Sequence, residues 1–253
     1  MDKVGFLAAN AAAAAMSRQE NIANNLANVN TSGFRAQVVA LRSTPLVALT
    51  PSGEARLDTR TFATETVTGY DARPGVMQQT GRDLDIAVST PGWLVVQRAN
   101  GAEGYTRAGS LVVNNAGVLV NTDGLPVLGE GGALEIPEGA RVQISDTGLV
   151  SVRNGNGNNV ALQDIGQLRL VNPEANTLER APDGYFQPKA GAVAPEQAQN
   201  VRLRAGYLEG SNVNPAEAIV EMIAAQRTFD VSMKTVSMTK ESDQKADSLL
   251  QFN

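Results

Sequence analysis

The sequence predicts a mainly β protein with an α-helix at each end of the chain. Apolar and small residues recur at alternating steps of three and four over residues 2–30 and again from Ile219 to Val236, which is the period of a helix. Between these stretches, short β-branched runs are separated by turn residues, which is typical of short antiparallel strands. We therefore expect a discontinuous helical (coiled-coil) domain formed by both termini, and a central β-domain.

The first element is a predicted helix over residues 2–30. Small side chains dominate its periodic positions, so a partner helix could approach closely but would bury little area per turn. The sequence "NTSG" then ends the helix, because Gly33 readily adopts a left-handed cap conformation. The N-terminal seam consists of Gly5, Ala8, Ala12, Ala15, Gln19, Ile22, Leu26 and Val29.

Three asparagines flank this N-terminal seam. At 100° per residue, Asn21, Asn25 and Asn28 fall within about 60° of one another. Asparagine is a poor residue for a solvated helix face, because its amide competes for the backbone. A short amide suits a close-packed position, where it bonds to a neighbour and sets register. The pattern alone leaves a solvated face and a subunit contact equally open.

The middle of the chain contains two regions that differ in composition. Residues 37–80 contain threonine and valine with few large apolar side chains, which predicts an extended linker region. From residue 81 the strand signals strengthen, and "LVVNNAGVLV" and "VQISDTGLVSV" each predict a hairpin with a polar–x–Gly turn. We expect the central β-domain to span residues 81–207.

The last element is a predicted helix that begins at Pro215. Asn214 is the expected N-cap, Pro215 the first helical residue and Glu217 the N3 residue of a capping box. A helix over residues 215–250 would be about 50 Å long, which is too long for a small core to cover. Its C-terminal seam consists of Ile219, Met222, Gln226, Phe229, Met233 and Val236.

These elements predict a division of the chain into four parts. Residues 1–36 are expected to supply the N-terminal helix of the discontinuous helical domain, and residues 208–253 its C-terminal helix. Two seams so far apart in sequence are expected to pack as helix partners and to remain accessible to other subunits.

Composition argues against most enzymes and against nucleic-acid binding. The 253 residues include no cysteine and no histidine, and the net charge is −5. The chain therefore lacks thiolate chemistry, the commonest general base and metal ligand, and a basic surface for phosphates. We predict no catalytic residue, no metal and no cofactor.

No segment matches a membrane span or a signal peptide well. No apolar run reaches the ~18–20 residues that a span requires. Asp2 and Asn10 depart from the signal-peptide pattern, and alanine favours a helix, so we expect the first helix to be retained.

Three motifs invite a catalytic or phosphate-binding interpretation. Asp146-Thr147-Gly148 matches the aspartic-protease triplet, but that chemistry needs a second such carboxylate and no second DTG or DSG exists. A hairpin turn is the better prediction. The stretches 129–132 and 155–159 lack the P-loop spacing and are predicted loops. The alternative from a different class is a secreted β-domain hydrolase, which requires two convergent carboxylates in a deep pocket.

The two terminal motifs closely resemble one known family. "ANNLANVNTSGFRA" (23–36) resembles the N-terminal signature of the bacterial flagellar rod and hook proteins, and "SNVNPAEAIVEMIAAQRTFDVSMKTV" (211–236) resembles their C-terminal signature. Residues 82–97 and 104–132 resemble the shared β-core. Within the family, "GYLEGSNVNP" and the length favour the proximal rod, with the distal rod as the alternative. The lack of an extra outer domain counts against the hook.

The resemblance implies a structural subunit of the flagellar basal body and no enzyme. Members of this family are exported unfolded by the flagellar type III apparatus, without a cleaved signal peptide. They assemble in the periplasm with other rod proteins into a torque-transmitting tube, with the terminal helices as its inner coiled-coil layer. The expected partners are therefore other rod proteins and the export apparatus, with no nucleic acid, membrane span or small-molecule substrate.

The seams, the amides and the resemblance together predict a subunit interface. Gln226 and Arg227 belong to the family's C-terminal motif and are expected to pair with neighbouring subunits. Terminal helices with weak seams are expected to fold on assembly, which the resemblance implies. The predicted interface residues are Asn21, Ile22, Asn25, Leu26, Asn28, Val29, Gly33, Phe34, Asn214, Pro215, Ile219, Met222, Gln226, Arg227, Phe229, Met233 and Val236.

Overall fold

The structure is a computed structural model, and it describes residues 2–45, 48–49, 55–56, 61–153, 162–174 and 177–250. These residues form one long helix near each end and many short strands between them, so the predicted fold class is confirmed. The helices are α1 (Asp2–Ala27) and α2 (Pro215–Leu250). The strands are β1 (Gln37–Pro45), β2 (Ala48–Leu49), β3 (Ala55–Arg56), β4 (Thr61–Tyr70), β5 (Met77–Gln79), β6 (Ile86–Val88), β7 (Trp93–Gln97), β8 (Glu103–Thr106), β9 (Leu111–Val113), β10 (Leu119–Asn121), β11 (Leu128–Gly129), β12 (Gly132–Ala133), β13 (Arg141–Ile144), β14 (Leu149–Arg153), β15 (Leu162–Gln167), β16 (Leu170–Val171), β17 (Leu178–Arg180), β18 (Phe186–Pro188), β19 (Leu203–Ala205) and β20 (Tyr207–Glu209).

The chain divides into two compact units. The helix unit comprises Met1–Ala27, Gln37–Thr68 and Asn214–Asn253. The β unit comprises Asn28–Ala36 and Gly69–Val213. Residues 28–36, which the sequence analysis placed with the N-terminal helix, thus group with the β unit.

In the helix unit, α1 and α2 pack against each other, as the sequence-distant seams predict. A Cβ added at Gly5 would lie 3.5 Å from Cγ2 of Thr239. The start of α1 therefore meets a point well inside α2. The buried small residues of α2, Ala218, Ala225 and Ser232, all precede Thr239, so the rest of α1 packs towards the start of α2 and the two helices run antiparallel.

The start of α2 is capped as predicted. The Oδ1 atom of Asn214 accepts hydrogen bonds from the backbone N–H of Ala216 at 3.1 Å and of Glu217 at 3.5 Å. The carbonyl of Asn214 accepts the N–H of Ala218 at 3.0 Å. Asn214 thus satisfies donors that the first turn of any helix leaves open, and Pro215 has no N–H that needs a partner. The helix unit also contains the β1–β4 ribbon and the short β2–β3 pair.

The β unit is built from small antiparallel sheets. The largest has the order β16-β7-β8-β18-β17, and a three-stranded sheet has the order β13-β14-β15. Both predicted hairpins are confirmed: Leu119 faces Val113 across β9 and β10, and Val150 faces Ile144 across β13 and β14. Each strand is short and is followed by turn residues, and this explains why the sheets remain small.

Aliphatic side chains from these strands form the main core of the β unit. It includes Leu111, Leu119, Val150 and Leu168, all fully buried. A second cluster has aromatic rings at its centre, with Trp93 and Phe186 at 4.6 Å between ring centroids. Tyr70 meets the Trp93 ring edge-on at 5.5 Å. Such tilted and edge-on contacts are the favourable geometry for aromatic pairs.

Two of the three motifs with a catalytic or phosphate-binding interpretation occupy ordinary turns. Asp146-Thr147-Gly148 lies in the hairpin turn between β13 and β14, where Gly148 has a φ of 87° and its N–H donates to the Ser145 carbonyl at 3.1 Å. The hairpin prediction is therefore confirmed. Residues 129–132 form the tight connection between β11 and β12. The stretch 155–159 lies outside the described residues.

Candidate assembly interface

The N-terminal seam lies against α2 of the same chain. Ala8, Ala12, Ala15 and Ile22 are buried. Gly5, Gln19 and Leu26 are partly buried. The sequence period thus identified the packed face of α1 correctly. Because most of these side chains are methyl groups or smaller, the helix pair buries little apolar area in each turn.

The packed face of α2 differs from the predicted C-terminal seam at every second position. Met222, Phe229 and Val236 are partly buried as predicted. The predicted Ile219, Gln226 and Met233 are exposed, and Ala218, Ala225 and Ser232 are buried in their place. Small residues at these positions allow the two helix axes to approach, which isoleucine and methionine would prevent.

A second apolar stripe runs along α2 on the side opposite α1. Its side chains are between 50% and 67% exposed. At ~100° per residue they lie about half a turn away from Ala225, the centre of the packed face. This outer stripe, interrupted by Arg227 and Lys234, consists of Val220, Ile223, Val231 and Met238.

Arg227 and Gln226 both lie on exposed parts of α2. The Nε2 atom of Gln226 donates to Oδ1 of Asp230 at 3.1 Å, one helical turn further on. Arg227 interrupts the outer stripe midway between Ile223 and Val231. Both side chains are therefore accessible to a neighbouring molecule.

The amides near the end of α1 hold the returning chain. Asn25 donates through Nδ2 to the Gln37 carbonyl at 3.0 Å and accepts the Gln37 N–H at 2.8 Å. Asn21 donates to the side-chain oxygen of Gln37 at 3.2 Å. Asn25 therefore pairs with the backbone of Gln37 as a neighbouring strand would. This accounts for a short amide at this position without a second molecule.

Asn28 and Val29 follow the end of α1. The Oδ1 atom of Asn28 accepts from Oγ1 of Thr31 at 3.2 Å, and its carbonyl accepts the Thr31 N–H at 3.1 Å. Val29 is partly buried. These contacts form the turns that open the docking segment, residues 28–36, within the β unit.

Gly33 lies in the docking segment, where no other residue fits. Its φ is 68°, which is the left-handed conformation predicted from "NTSG". Its N–H donates to the Glu209 carbonyl at 2.7 Å. A Cβ at this position would lie 2.3 Å from the backbone carbon of Arg107, so any side chain would force the segment away.

Phe34 is buried beneath the guanidinium of Arg180. The Arg180 guanidinium carbon lies 4.3 Å from the centroid of the Phe34 ring and 4.9 Å from that of Phe186. Nη2 of Arg180 donates to the Arg35 carbonyl at 2.6 Å. Burial lowers the pKa of Arg180 to about 10, which shows how far the surrounding rings and backbone exclude water.

Arg35 enters a buried ion cluster with Glu209 and Arg107. Nη2 of Arg35 lies 2.7 Å from Oε1 of Glu209, and Nε of Arg107 lies 2.6 Å from Oε2. The Glu209 carboxylate also accepts the Gly75 N–H at 2.9 Å. Burial lowers the pKa of the Arg35 guanidinium, and the negative charge of Glu209 opposes that change. One carboxylate thus forms ion pairs with two buried guanidinium groups.

Arg107 is anchored by three carbonyls as well as by Glu209. It donates to Gly92 and Val88, each at 2.6 Å, and to Thr90 at 3.3 Å.

The sequence analysis named Gly33 and Phe34 as interface residues but missed Arg35, Arg107, Arg180 and Glu209. The signal was weak, because Arg107 and Glu209 are 102 residues apart and no spacing connects them.

The described residues contain neither a metal site nor a membrane-spanning helix. No group of His, Cys, Asp or Glu among them could hold a metal ion. None of the helices in the described parts of the chain is both long and apolar enough to span a membrane.

Comparisons with known proteins identify the family. Residues 7–35 match the family described as "Flagella basal body rod protein", residues 87–152 the "Flagellar hook protein FlgE/F/G D1 domain", and residues 204–249 the "Flagellar basal body rod FlgEFG protein C-terminal". None of these descriptions names a hydrolase.

Named relatives match along the length of the chain. The flagellar basal-body rod protein FlgF of Salmonella typhimurium is 40% identical over 258 aligned residues, which cover 100% of both chains. FlgF of Escherichia coli is 39% identical over the same length and coverage. The rod protein FlgG of Agrobacterium fabrum is 31% identical over 244 residues, which cover 88% of this chain and 89% of that one. The chain therefore belongs to the flagellar basal-body rod protein family.

Proposed function

We propose that this chain is a structural subunit of the bacterial flagellar rod and that it assembles with other rod proteins through its helix unit. The greater similarity to FlgF than to FlgG, 40% against 31% identity, favours the proximal rod over the distal rod. The proposal includes no catalytic activity, since the family is named for a structural part. It also includes export by the flagellar type III apparatus to a periplasmic site, without a cleaved signal peptide.

The observation that carries the assembly proposal is the outer stripe of α2. Val220, Ile223, Val231 and Met238 repeat with helical spacing on the side away from α1, and each is at least half exposed. Exposed apolar side chains that recur along one face of a helix indicate an interaction surface. A second helix packed on this stripe would leave α2 between two helices, as in a multi-helix coiled coil.

The predicted interface residues support different parts of this proposal. Ile219, Met233 and Arg227 are exposed and available to a neighbouring subunit. Ile22 and Phe34 are buried within the chain, so we propose that they position the interface and do not touch a neighbour. Because the α1–α2 seam is made mainly of small side chains, we further propose that the pair becomes fully ordered when subunits cover it.

The test introduces one charge into the outer stripe. Ile223→Asp is expected to abolish rod assembly and swimming in a strain that depends on this chain, because a carboxylate would be buried without a partner. Thr228→Asp is the matched control, since it adds the same charge to an exposed position of α2 that lies outside the stripe and away from Ile219 and Met233. We expect the control to swim normally. Normal swimming of the Ile223→Asp strain would contradict the proposal.

A further inference from the structure

The β unit has a complete apolar core without the docking segment. The two apolar clusters of the described residues draw all their members from residues 70–203 and include none from residues 28–36. The docking segment also forms no strand pair with any described sheet. It is held instead by individual side-chain and backbone contacts, as a bound peptide is.

The groups that hold the docking segment keep other partners within the β unit. Glu209 remains paired with Arg107, and Arg107 remains bonded to three carbonyls. Arg180 remains stacked on Phe186. Removal of the segment would therefore leave Glu209 and Arg107 paired, and it would free the Nη2 donor of Arg180, which now bonds to the Arg35 carbonyl, for the carbonyl of a ligand.

Three consecutive residues of the segment meet three different requirements. The position of Gly33 excludes any Cβ, because the Arg107 backbone is too close. Phe34 supplies the ring beneath Arg180, and Arg35 supplies a second cation to the Glu209 carboxylate. The Arg35 side chain also donates to the Arg73 carbonyl. The surface thus favours a segment with a small residue, an aromatic ring and a guanidinium in that order.

We propose that Arg107, Arg180, Phe186 and Glu209 form a peptide-binding socket for a glycine–aromatic–arginine sequence, which the chain fills with its own residues 33–35. The socket binds the same sequence from a separate molecule when its own segment cannot dock. This proposal does not depend on the rod function, because it concerns contacts within the β unit alone.

The test is complementation in the full chain. The first host carries Phe34→Ala together with Arg35→Ala, which removes both docking side chains and leaves the socket intact. The second host carries Gly33→Ala, which expels the segment through the clash with Arg107. The probe is a fluorescently labelled peptide of residues 28–36, NVNTSGFRA, and its binding is followed by anisotropy.

We expect saturable binding of the probe to both hosts and none to the unmodified chain. In the unmodified chain the tethered segment has an effective concentration on the order of millimolar and excludes the probe. A peptide with Arg35→Lys should bind about tenfold more weakly, because lysine cannot reproduce the paired donors of arginine. A peptide with Phe34→Leu should also bind about tenfold more weakly, since it loses the cation–π contact.

Each outcome decides the proposal. Emission from Trp93, which lies in the β-unit core, reports whether a host is folded. Folded hosts that fail to bind the probe would overturn the socket. Equal binding of all three peptides would overturn its specificity. Loss of the folded emission in both hosts would show that the segment belongs to the core, and this result also contradicts the proposal.

Discussion

The two units of this chain are stabilised by different kinds of side chain. The β unit buries branched aliphatic residues such as Leu111, Leu119 and Val150 almost completely. The helix unit buries chiefly alanine along α1, with Ile22 as its largest fully packed side chain there. Because apolar burial contributes about 25 cal/mol per Å², large side chains give the β unit most of the chain's stability. The difference teaches that the two units should differ in stability, with the β unit the more stable of the two.

Optical probes separate the two units cleanly. The single tryptophan, Trp93, and all four tyrosines fall within residues 69–213, in the β unit. Fluorescence and tyrosine absorbance therefore report the β unit, while far-ultraviolet circular dichroism at the helical minima reports α1 and α2. The comparison between the units can thus be tested in one molecule.

The largest effect is expected from a cavity in the β-unit core. Leu168→Ala should lower the free energy of unfolding by about 2–5 kcal/mol, because truncating this fully buried side chain leaves a cavity in the core. Urea unfolding followed by Trp93 emission measures it. Leu162→Ala is the control, since Leu162 is 55% exposed and the change should be nearly neutral. Equal losses of stability in the two variants would show that core burial does not stabilise the β unit.

A smaller effect is expected from enlarging the seam of the helix unit. Ala12→Leu should destabilise the α1–α2 pair by about 1–3 kcal/mol, because a larger side chain forces the close-packed helices apart. The thermal transition of the helical dichroism should move, while that of Trp93 emission should not. Ala13→Leu is the matched control on the exposed neighbouring position. A shift of both transitions would refute the independence of the units.

Ionisation of the buried tyrosines at alkaline pH should weaken the β unit. Burial raises the pKa of Tyr105 to about 12, and burial likewise raises the pKa values of Tyr70 and Tyr185 above their usual value of 10. Since the folded state favours the neutral phenol, this stability is present below pH 10 and is lost between pH 10 and about 12. At about pH 11, Tyr105 alone should account for a loss of about 1 kcal/mol relative to about pH 9.

The measurement compares urea midpoints at these two pH values. Tyr105→Phe should reduce the alkaline loss, because phenylalanine has no proton to release. An unchanged alkaline loss in the Tyr105→Phe variant would contradict the assigned cause.

The smallest effect is expected from Asn25→Gln. The longer arm keeps the amide but misplaces it, so both bonds to Gln37 weaken at a cost of about 1 kcal/mol. Hydrogen exchange at the Gln37 amide should rise. Asn30→Gln is the control at an exposed position of the following turn. Unchanged exchange would mean that Asn25 does not hold the returning chain.

The sequence predicted the elements whose causes are local. The period of α1, the Asn214 cap and the two glycine hairpins depend on residues a few positions apart. The predicted packed face of α2 was wrong at alternate positions. Hydrophobicity favours Ile219 for burial, but close packing of the two helices selects the smaller Ala218. The cluster of Arg35, Arg107 and Glu209 was missed, because only the three-dimensional fold brings these charges together.

The hydrogen bonds at residues 36 and 37 have an evolutionary consequence. The N–H of Ala36 donates to Oδ1 of Asn212 at 2.7 Å, and the next N–H, that of Gln37, donates to Oδ1 of Asn25 at 2.8 Å. Each asparagine selects one amide of a consecutive pair. A single inserted or deleted residue between Asn25 and Gln37 would place the wrong amide opposite each of them. An insertion or deletion in this stretch is therefore expected to be selected against, as are substitutions of Gly33, Phe34 and Arg35 within it.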